Sequence, residues 1–271
     1  MIGKLSKRAV LFVYAALIFI PLLVVFFGSL KTTPEIFANA FAPPTSLNFD
    51  NYAQALTSGN LGPAFLNSMI ITLCSVSLTL LFGSLAAYGL SRIPSWKGWL
   101  IFGFIVLGMS VPAQANMIPQ YVLFDQLGLL DSQGGLILIN IVVTLPVAVF
   151  IMGGFMRTLP NDLFEAAGID GSGPWRSYYA IAVPLSLPSI AATAIFLFVM
   201  HWNDLLYPLL FISSPDKQTL PLALLRFQGE FLTNYPLLFA GVVLASAPVV
   251  VAYVFLQRFF VAGMTAGAVK G

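Results

Sequence analysis

The sequence predicts an all-helical protein that crosses a membrane several times. Of its 271 residues, 59% are hydrophobic and only 8% are charged, whereas charged residues make up roughly a quarter of an ordinary soluble domain. The apolar stretches are continuous rather than alternating, which is typical of membrane helices and not of a transmembrane β-barrel. The predicted fold class is therefore a polytopic all-α membrane protein.

Six stretches are long enough to cross a bilayer, which needs about 20 apolar residues in a helix. They are residues 9–30, 66–90, 98–119, 135–156, 184–207 and 237–260. The first follows three basic residues and so also resembles a signal peptide, with Ala38-Asn39-Ala40 as a possible cleavage site. We favour a retained helix, because the apolar run exceeds the about 7–15 residues of a signal peptide and ends well before that site.

Glycines and prolines interrupt two of these spans. Such breaks are tolerated at membrane depth where the backbone contacts protein or lines a cavity, so they suggest a conduit without showing one. The interrupting residues are Gly103, Gly108, Pro112 and Pro119 in the third span, and Pro184 and Pro188 at the entry to the fifth.

Small residues recur every four positions on two other spans. They are Ser75, Thr79, Gly83 and Ala87 on the second, and Gly241 and Ala245 on the sixth. Small residues at this spacing let helix backbones approach closely in lipid, so we interpret these faces as packing surfaces.

The sequence contains no motif that indicates a disulfide, a metal site or a nucleotide-binding site. The single cysteine, Cys74, excludes a disulfide within the chain, and we expect it to be a small buried apolar residue. The single histidine, His201, cannot form a histidine-rich metal site, and neither a P-loop nor a dinucleotide motif is present. We therefore expect no catalytic residue, metal or cofactor in this chain, and its net charge of +2 does not indicate a nucleic-acid partner.

The distribution of basic residues predicts the orientation. With the N-terminus in the cytoplasm, only Lys31, Lys217 and Arg226 lie outside. The other nine lie inside, namely Lys4, Lys7, Arg8, Arg92, Lys97, Arg157, Arg176, Arg258 and Lys270. Both termini and the loop 157–183 are then cytoplasmic.

The loop 157–183 is predicted to be two short helices joined by a sharp turn. Asn161 fits the N-cap of the first helix, and Gly171 fits a positive φ at its end. Gly173 and Pro174 fit the N-cap and first position of a second helix, 174–182. Aromatic residues near one exposed acid, Glu165, favour docking into another protein, while an amphipathic helix lying on the bilayer remains the alternative.

This loop also carries a resemblance to a known family. Glu165-Ala166-Ala167, Gly171, Ile181 and Val183-Pro184 follow the spacing of the EAA motif of ABC-importer permeases, with Val183 in place of the usual leucine. The segment His201 to Asp204 and the C-terminal segment 257–271 resemble the carbohydrate subfamily that contains the maltose permease. The resemblance covers essentially the whole chain and implies a type I ABC-importer permease bundle with six transmembrane helices and a cytoplasmic coupling helix.

The resemblance implies a multi-subunit importer in the cell membrane. Its expected partners are a second homologous permease, two cytoplasmic ATP-binding subunits that hold ATP and Mg, an extracytoplasmic solute-binding protein, and membrane lipid. The expected ATPase-docking residues are Glu165, Ala166, Ala167, Gly168, Asp170, Gly171 and Trp175. Thr265, Gly267 and Lys270 are either a second ATPase contact or part of a frayed terminus.

A translocation path for a polar solute needs inward-facing polar groups. For each candidate, hydrogen bonding between helices is an equally good interpretation. For Trp202 and Tyr207 we favour an interfacial aromatic belt over sugar stacking. The path candidates are Asn116, Gln120, Asn140, Thr144, His201, Asn203 and Asp204.

The sequence therefore predicts a permease subunit that forms half of the path for a sugar or oligosaccharide. A permease for a polyol, glycerol phosphate or amino acid is the alternative, and an ion-coupled secondary transporter is less well supported, because no ionisable group is evident near mid-span. We predict two parts: residues 1–65 with the first helix and an external loop, and residues 66–271 with a five-helix core, the EAA loop and the C-terminal tail.

Overall fold

The computed structural model of the chain describes residues 2–57, 59–93, 96–228 and 233–268, and its regular structure is helical. The helices are α1 Ile2–Ser29, α2 Thr33–Ala38, α3 Asp50–Leu56, α4 Leu61–Arg92, α5 Trp96–Leu107, α6 Met117–Gln126, α7 Gln133–Met156, α8 Asn161–Ile169, α9 Pro174–Leu185, α10 Leu187–Trp202, α11 Leu206–Phe211, α12 Leu220–Leu224 and α13 Tyr235–Ala268. Within α9, residues Tyr178–Ala182 form a π turn. Short 3₁₀ turns, Gly108–Ser110 and Ala113–Asn116, lie between α5 and α6.

Among the residues that the structure describes, four single helices are long and apolar enough to cross a membrane. They are Lys7–Ser29, Leu61–Arg92, Gln133–Met156 and Tyr235–Phe255. Two bent pairs of helices pass the same test together, α5 with α6 and α9 with α10, so the count by length and composition rises to six if each pair is one span. These positions match the six predicted stretches.

The predicted break in the third span is confirmed, and it is sharper than expected. Residues Trp96–Ser110 and Ala113–Gln126 meet at 82°, since Val111 is extended and Pro112 follows with a ψ of 126°. Asn116 ends the 3₁₀ turn directly before α6 and Gln120 lies within α6, so both residues follow the bend.

The predicted bend at the entry to the fifth span is also confirmed. Residues Pro174–Leu185 and Leu187–Trp202 meet at 74°. The bend falls at Ser186, and Pro188 lies in the first turn of α10, where a missing N–H costs no helical hydrogen bond. The second loop helix is longer than predicted, since it continues through its π turn to Leu185 instead of ending at residue 182.

The small-residue face of α4 is a packing surface, as predicted. Ser75, Thr79 and Ala87 are fully buried. A side chain added at Gly83 would lie 2.9 Å from Cε of Met152 and 3.0 Å from Cβ of Ala148, both on α7. The absence of a Cβ at position 83 therefore lets α4 and α7 approach at this point.

The contacts divide the chain into two compact units. One comprises Met1–Leu66 and Gln218–Pro248, and the other comprises Asn67–Lys217 and Val249–Gly271. Residues 218–248 thus group with the N-terminal segment. The candidate functional residues of the loop 157–183 and of the proposed path lie in the second unit.

Apolar side chains of α1 are largely exposed within this chain. None of its most apolar window is buried, and Phe12 is 76% exposed. Lipid or another subunit is the natural environment of such a surface.

Cys74, on α4, is exposed within this chain. The expectation that it is buried is wrong, because Cys74 lies outside the face of α4 that contains the buried Ser75 and Thr79.

An acid-centred cluster ties the turn before α7 to the segment after α11. Asp131 accepts hydrogen bonds from the backbone of Ser213 and Ser214 at 3.1 and 2.8 Å, and from the Ser214 hydroxyl at 2.5 Å. Lys217 donates to both its carboxylate and its carbonyl. The Ser214 hydroxyl, followed by Lys217, holds the pKa of Asp131 well below its usual range, so the carboxylate stays ionised at neutral pH.

Candidate functional site: a two-helix arm anchored on α4

The loop 157–183 forms an arm of two helices, α8 and α9, and Arg92 at the end of α4 holds its first helix. Arg92 donates to Oδ1 of Asn161 at 3.0 Å and to the carbonyl of Met156 at 3.1 Å. Its guanidinium also lies 3.8 Å from the centre of the Phe164 ring, a cation–π contact. One side chain therefore fixes both the end of α7 and the start of α8.

The predicted N-cap of α8 is wrong by one residue. Pro160 occupies the cap position and Asn161 is the first helical residue. The side-chain oxygen of Asn161 is engaged by Arg92. Since that oxygen serves a tertiary contact, the helix begins without a side-chain cap.

Two hydroxyl groups of α4 hold the second helix of the arm. Ser84 Oγ and Tyr178 Oη lie 2.8 Å apart in a buried contact, and Tyr88 Oη donates to the carbonyl of Pro174 at 3.3 Å. The Tyr88 ring packs on Tyr178 at 5.4 Å and on Phe164 at 6.2 Å between centroids. Tyr88 thus contacts both helices of the arm, so the arm and the end of α4 form one packed block.

The turn between the two helices has the hydrogen bonding of a Schellman motif. The N–H of Ser172 donates to the carbonyl of Ala167 at 2.8 Å, and the N–H of Gly171 donates to that of Gly168 at 3.0 Å. Gly171 has a φ of +76°, which confirms the predicted left-handed residue at the helix end. Gly173 and Pro174 start α9 as predicted.

Replacing Gly171 by alanine should loosen the arm. An L-residue in the left-handed region costs roughly 1–2 kcal/mol, whereas alanine at Gly168 lies in ordinary helix with nothing within 4 Å of its added methyl group. We expect Gly171→Ala to speed backbone hydrogen exchange across 161–173, and Gly168→Ala to leave it unchanged or slower. Equal exchange rates in the two variants would contradict the assigned role of the turn.

The predicted docking residues lie mainly on the free side of the arm. Glu165, Ala166, Gly168 and Asp170 are exposed, Ala167 is half-buried, and Ile169 and Trp175 are 87% and 68% exposed. Within the described part of the chain, the carboxylate of Glu165 has neither a hydrogen bond nor an ion pair. The free side of the arm therefore presents one unpaired acid, a patch of small residues and two apolar side chains. The opposite side of the arm is packed against the end of α4.

Sequence reasoning missed the residues that build this base. Ser84, Tyr88 and Arg92 follow each other at intervals of four, which places them on one face of α4. Serine, tyrosine and arginine in this pattern at the end of a membrane helix were a usable signal of a polar anchoring face. The identity of their partners could not be deduced from it.

Three path candidates form a buried polar cluster. Asn140 donates to Ser75 Oγ at 3.4 Å, and the Thr144 hydroxyl donates to the carbonyl of Asn140 at 2.7 Å and lies 3.3 Å from Nε2 of His201. All three residues are at most 8% exposed. They connect α4, α7 and α10, and such contacts contribute about 0.6 kcal/mol each in membrane proteins.

The other path candidates lie apart from this cluster. Asn116 and Asn203 are exposed, and Asn203 donates to the carbonyl of Val199 at 2.8 Å. Gln120 accepts a hydrogen bond from Tyr207 at 2.9 Å. Asp204 accepts from the N–H of Leu206 at 3.1 Å at the start of α11.

The two aromatic residues assigned to an interfacial belt are instead buried within the chain. Trp202 is 1% exposed and stacks on Phe198 with 5.7 Å between ring centroids, and Tyr207 is 7% exposed. The belt interpretation is wrong for both. The apolar surface of each ring is covered by this chain's own helices, which an apolar sequence pattern cannot distinguish from cover by lipid.

The C-terminal candidates are only partly placed. Thr265 and Gly267 lie in the backbone of α13, which extends to Ala268. Lys270 lies outside the described residues. A second ATPase contact at these residues stays a prediction.

Comparison with known proteins identifies the family of the chain. The profile described as binding-protein-dependent transport system inner membrane component matches residues 79–266. The diacetylchitobiose uptake system permease of Streptomyces coelicolor is 33% identical over 97% of this chain and 88% of its own length. The melibiose/raffinose/stachyose import permease of Bacillus subtilis is 35% identical over 93% of this chain and 92% of its own length.

Solved structures confirm the predicted fold class. A chain of a bacterial ABC transporter involved in import of the acidic polysaccharide alginate matches with a TM-score of 0.84 at 20% identity, over 96% of both chains. A second structure, of a bacterial alginate ABC transporter with a pentasaccharide-bound periplasmic protein, matches with a TM-score of 0.70 at 15% identity, over 94% of this chain and 93% of that chain. The bundle is therefore that of an ABC-importer permease. By sequence and by fold, the chain belongs to the family of binding-protein-dependent transport system inner membrane components, and it is a permease subunit, a transport component rather than an enzyme.

Proposed function

We propose that this permease forms half of the translocation path for a sugar or oligosaccharide. Its partners would be a second, homologous permease, two cytoplasmic ATPase subunits that bind ATP and Mg, and an external solute-binding protein. The observation that carries the coupling part of this proposal is the arm: a rigid base on α4 supports an exposed face with an unpaired Glu165. A surface of this kind suits insertion into a cleft that supplies a basic partner.

The anchoring of the arm favours protein docking over a helix that lies on the bilayer. Phe164 and Tyr178 face α4 and pack on Tyr88, so these rings are not available to lipid. The remaining free face contains Glu165 and Asp170, while surface-bound membrane helices are usually rich in basic residues. A cytoplasmic ATPase is the partner that this face fits.

The substrate class is supported by the relatives and by the chemistry of the chain. Both relatives described above are named for import of oligosaccharides. The candidate groups that remain accessible, Asn116 and Asn203, are neutral amides, which can replace the hydrogen bonds of water to sugar hydroxyl groups without burying a charge. A neutral sugar or oligosaccharide suits such a lining.

The polar groups inside and outside the buried cluster of Asn140, Thr144 and His201 have different proposed roles. Asn116, Gln120, Asn203 and Asp204 remain candidates for the path. In the structure, Asn140, Thr144 and His201 hydrogen-bond to one another or to α4, so we assign them to holding the helices together. Asn116→Leu should then reduce uptake without reducing assembly, while Asn140→Leu should lower thermal stability first.

Reconstitution of the complete importer with its binding protein tests the substrate class. Neutral oligosaccharides are expected to stimulate ATP hydrolysis and to accumulate in the vesicles. Polyols, glycerol phosphate and amino acids are the comparison solutes. Stimulation by amino acids or glycerol phosphate, with sugars inert, would overturn the sugar assignment and leave the permease assignment intact.

The orientation rests on the nine-to-three distribution of basic residues and puts the arm in the cytoplasm. In a Cys74→Ala background, which removes the exposed native thiol, we expect Asp170→Cys to react only with reagents inside the cell. Ser213→Cys, also at an exposed position, should react from outside. Labelling of Asp170→Cys by an impermeant reagent in intact cells would reverse the assigned orientation.

A further inference from the structure

A pocket of about 370 Å³ lies beside the arm, between the ends of α4 and α7 and the start of α5. Its polar lining comprises Ser91, Arg157, Asn161 and the backbone at Gly98, and Trp99 forms one wall. No carboxylate is among its lining residues. The pocket therefore has a positive and hydrogen-bonding interior, unlike the apolar surfaces around it.

Arg157 is held in a defined position in this pocket. Its guanidinium lies 3.9 Å from the centre of the Trp99 ring and 4.2 Å from that of Phe102. One Nη group donates to the carbonyl of Gly98 at 3.3 Å. The contacts leave further N–H donors on the guanidinium, and within the described residues Arg157 has no carboxylate partner.

A second arginine adds to the positive charge at this end of the helices. Arg92 engages Asn161, which lines the pocket, and it also lacks a carboxylate partner in the described part of the chain. Arg92 does not line the pocket itself, but it donates to the lining side chains of Ser91 and Asn161. Both guanidinium groups contact uncharged oxygens and aromatic rings. An anionic ligand would complete the charge balance.

The surroundings of the pocket favour a lipid as that ligand. Trp96 and Trp99, at the start of α5, are 69% and 66% exposed, and Leu100 and Phe104 continue the exposed apolar surface along the helix. Exposed tryptophans next to apolar helix surface are typical of the headgroup level of a bilayer. A ligand in the pocket would therefore place its phosphate group on Arg157 and its acyl chains along α5.

We propose that this pocket binds the phosphate group of an anionic phospholipid of the inner leaflet, next to the start of the arm at α8. Basic pockets between membrane helices on the cytoplasmic side are known to hold anionic headgroups. The leaflet assignment rests on the orientation proposed above. Binding itself does not, so the labelling experiment and the lipid experiment can fail separately.

Native mass spectrometry of the purified, assembled importer tests the site. The probes are phosphatidylglycerol and phosphatidylcholine with identical acyl chains. We expect wild type to prefer phosphatidylglycerol, and Arg157→Gln to bind it about fivefold more weakly, the effect of one basic residue near an anionic surface. Arg226→Gln removes the same charge from an exposed arginine elsewhere and should bind as wild type does.

Two further variants keep the test decisive if Arg157→Gln does not assemble. Ser91→Leu fills the pocket and keeps the charge of both arginines, although it removes the hydrogen bond from Arg92 Nε to Ser91 Oγ, so it should also weaken binding. Arg157→Lys retains the charge and should preserve the preference for phosphatidylglycerol, with lower affinity. Binding in Ser91→Leu equal to wild type, or an equal loss in Arg226→Gln, would overturn the proposal.

The remaining alternative is that an acidic group of the ATPase occupies the pocket. In that case, phosphatidylglycerol would bind the permease pair and be displaced when the ATPase subunits are added. In a Cys74→Ala background, which removes the exposed native thiol, a photoreactive probe on Ser91→Cys would then cross-link to the ATPase. Cross-linking to phospholipid in the complete importer is the result expected from a lipid site.

Discussion

Glu165→Lys is expected to abolish productive association with the ATPase while the helical bundle remains folded. Glu165 is exposed and has no partner among the described residues, so its replacement costs the isolated permease little. At a buried interface, however, truncating one member of a charge pair costs about 2–5 kcal/mol, and reversal adds repulsion. We expect association to weaken by about 30-fold or more and uptake to fall with it.

The measurement is co-purification of the ATPase with the permease, together with uptake in vesicles. Asp125→Lys makes the same charge reversal at an exposed acid of α6 and should leave association intact. Thermal stability of both variants in detergent should match wild type. Normal assembly and normal uptake in Glu165→Lys would show that the arm does not dock through this acid.

Arg92→Ala is expected to uncouple transport from ATP hydrolysis. The substitution removes three hydrogen bonds from a charged donor, two of which reach the end of α7 and the start of α8, and the contact with the Phe164 ring. Hydrogen bonds to charged groups contribute about 1.5–3 kcal/mol each when buried, and the half-exposed setting of Arg92 lowers this, so we expect the arm to lose about 2 kcal/mol of anchoring. Closure of the ATPase would then move the arm without moving α4 and α7.

Arg92→Lys should show nearly the same defect. Lysine keeps the charge, but a single ammonium group cannot reach Asn161, the Met156 carbonyl and the Phe164 ring together. The measurement is the ratio of uptake to ATP hydrolysis, with hydrogen exchange of residues 161–169 as a local report. Arg8→Ala, at an exposed arginine of α1, is the matched control, and an unchanged ratio in Arg92→Ala would assign the anchoring role elsewhere.

Local features of the arm could be predicted because they depend on neighbouring residues in the chain. Gly171 adopts a positive φ because it follows the C-cap of α8, where a left-handed residue ends the helix, and glycine adopts that conformation without strain. Pro174 starts a helix since its ring already has a helical φ and its missing N–H is not needed there. The same holds for the bend at Ser186, which prolines on either side favour.

The contacts of polar side chains depended on the tertiary structure. Asn161 fits an N-cap by sequence, but Arg92, 69 residues earlier in the chain, takes its oxygen. Asn140 and Thr144 fit a solute path or a contact between helices equally well, and the positions of Ser75 and His201 place them in a buried cluster.

The surrounding medium, the class of fold and the family of this protein all follow from its amino-acid sequence. An apolar content of 59% in helix-length runs requires lipid around it and helices within it, since no other single-chain structure satisfies the backbone of continuous apolar segments in a bilayer. Motif spacing was enough to place the arm. The tertiary structure was needed to show which side of the arm is anchored and which is free. Ser84, Tyr88 and Arg92 pair with residues 69 to 94 positions away, and that pairing depends on how α4 packs. An apolar helix can pack through any of its faces, and the face that it uses depends on contacts with residues far away in the chain.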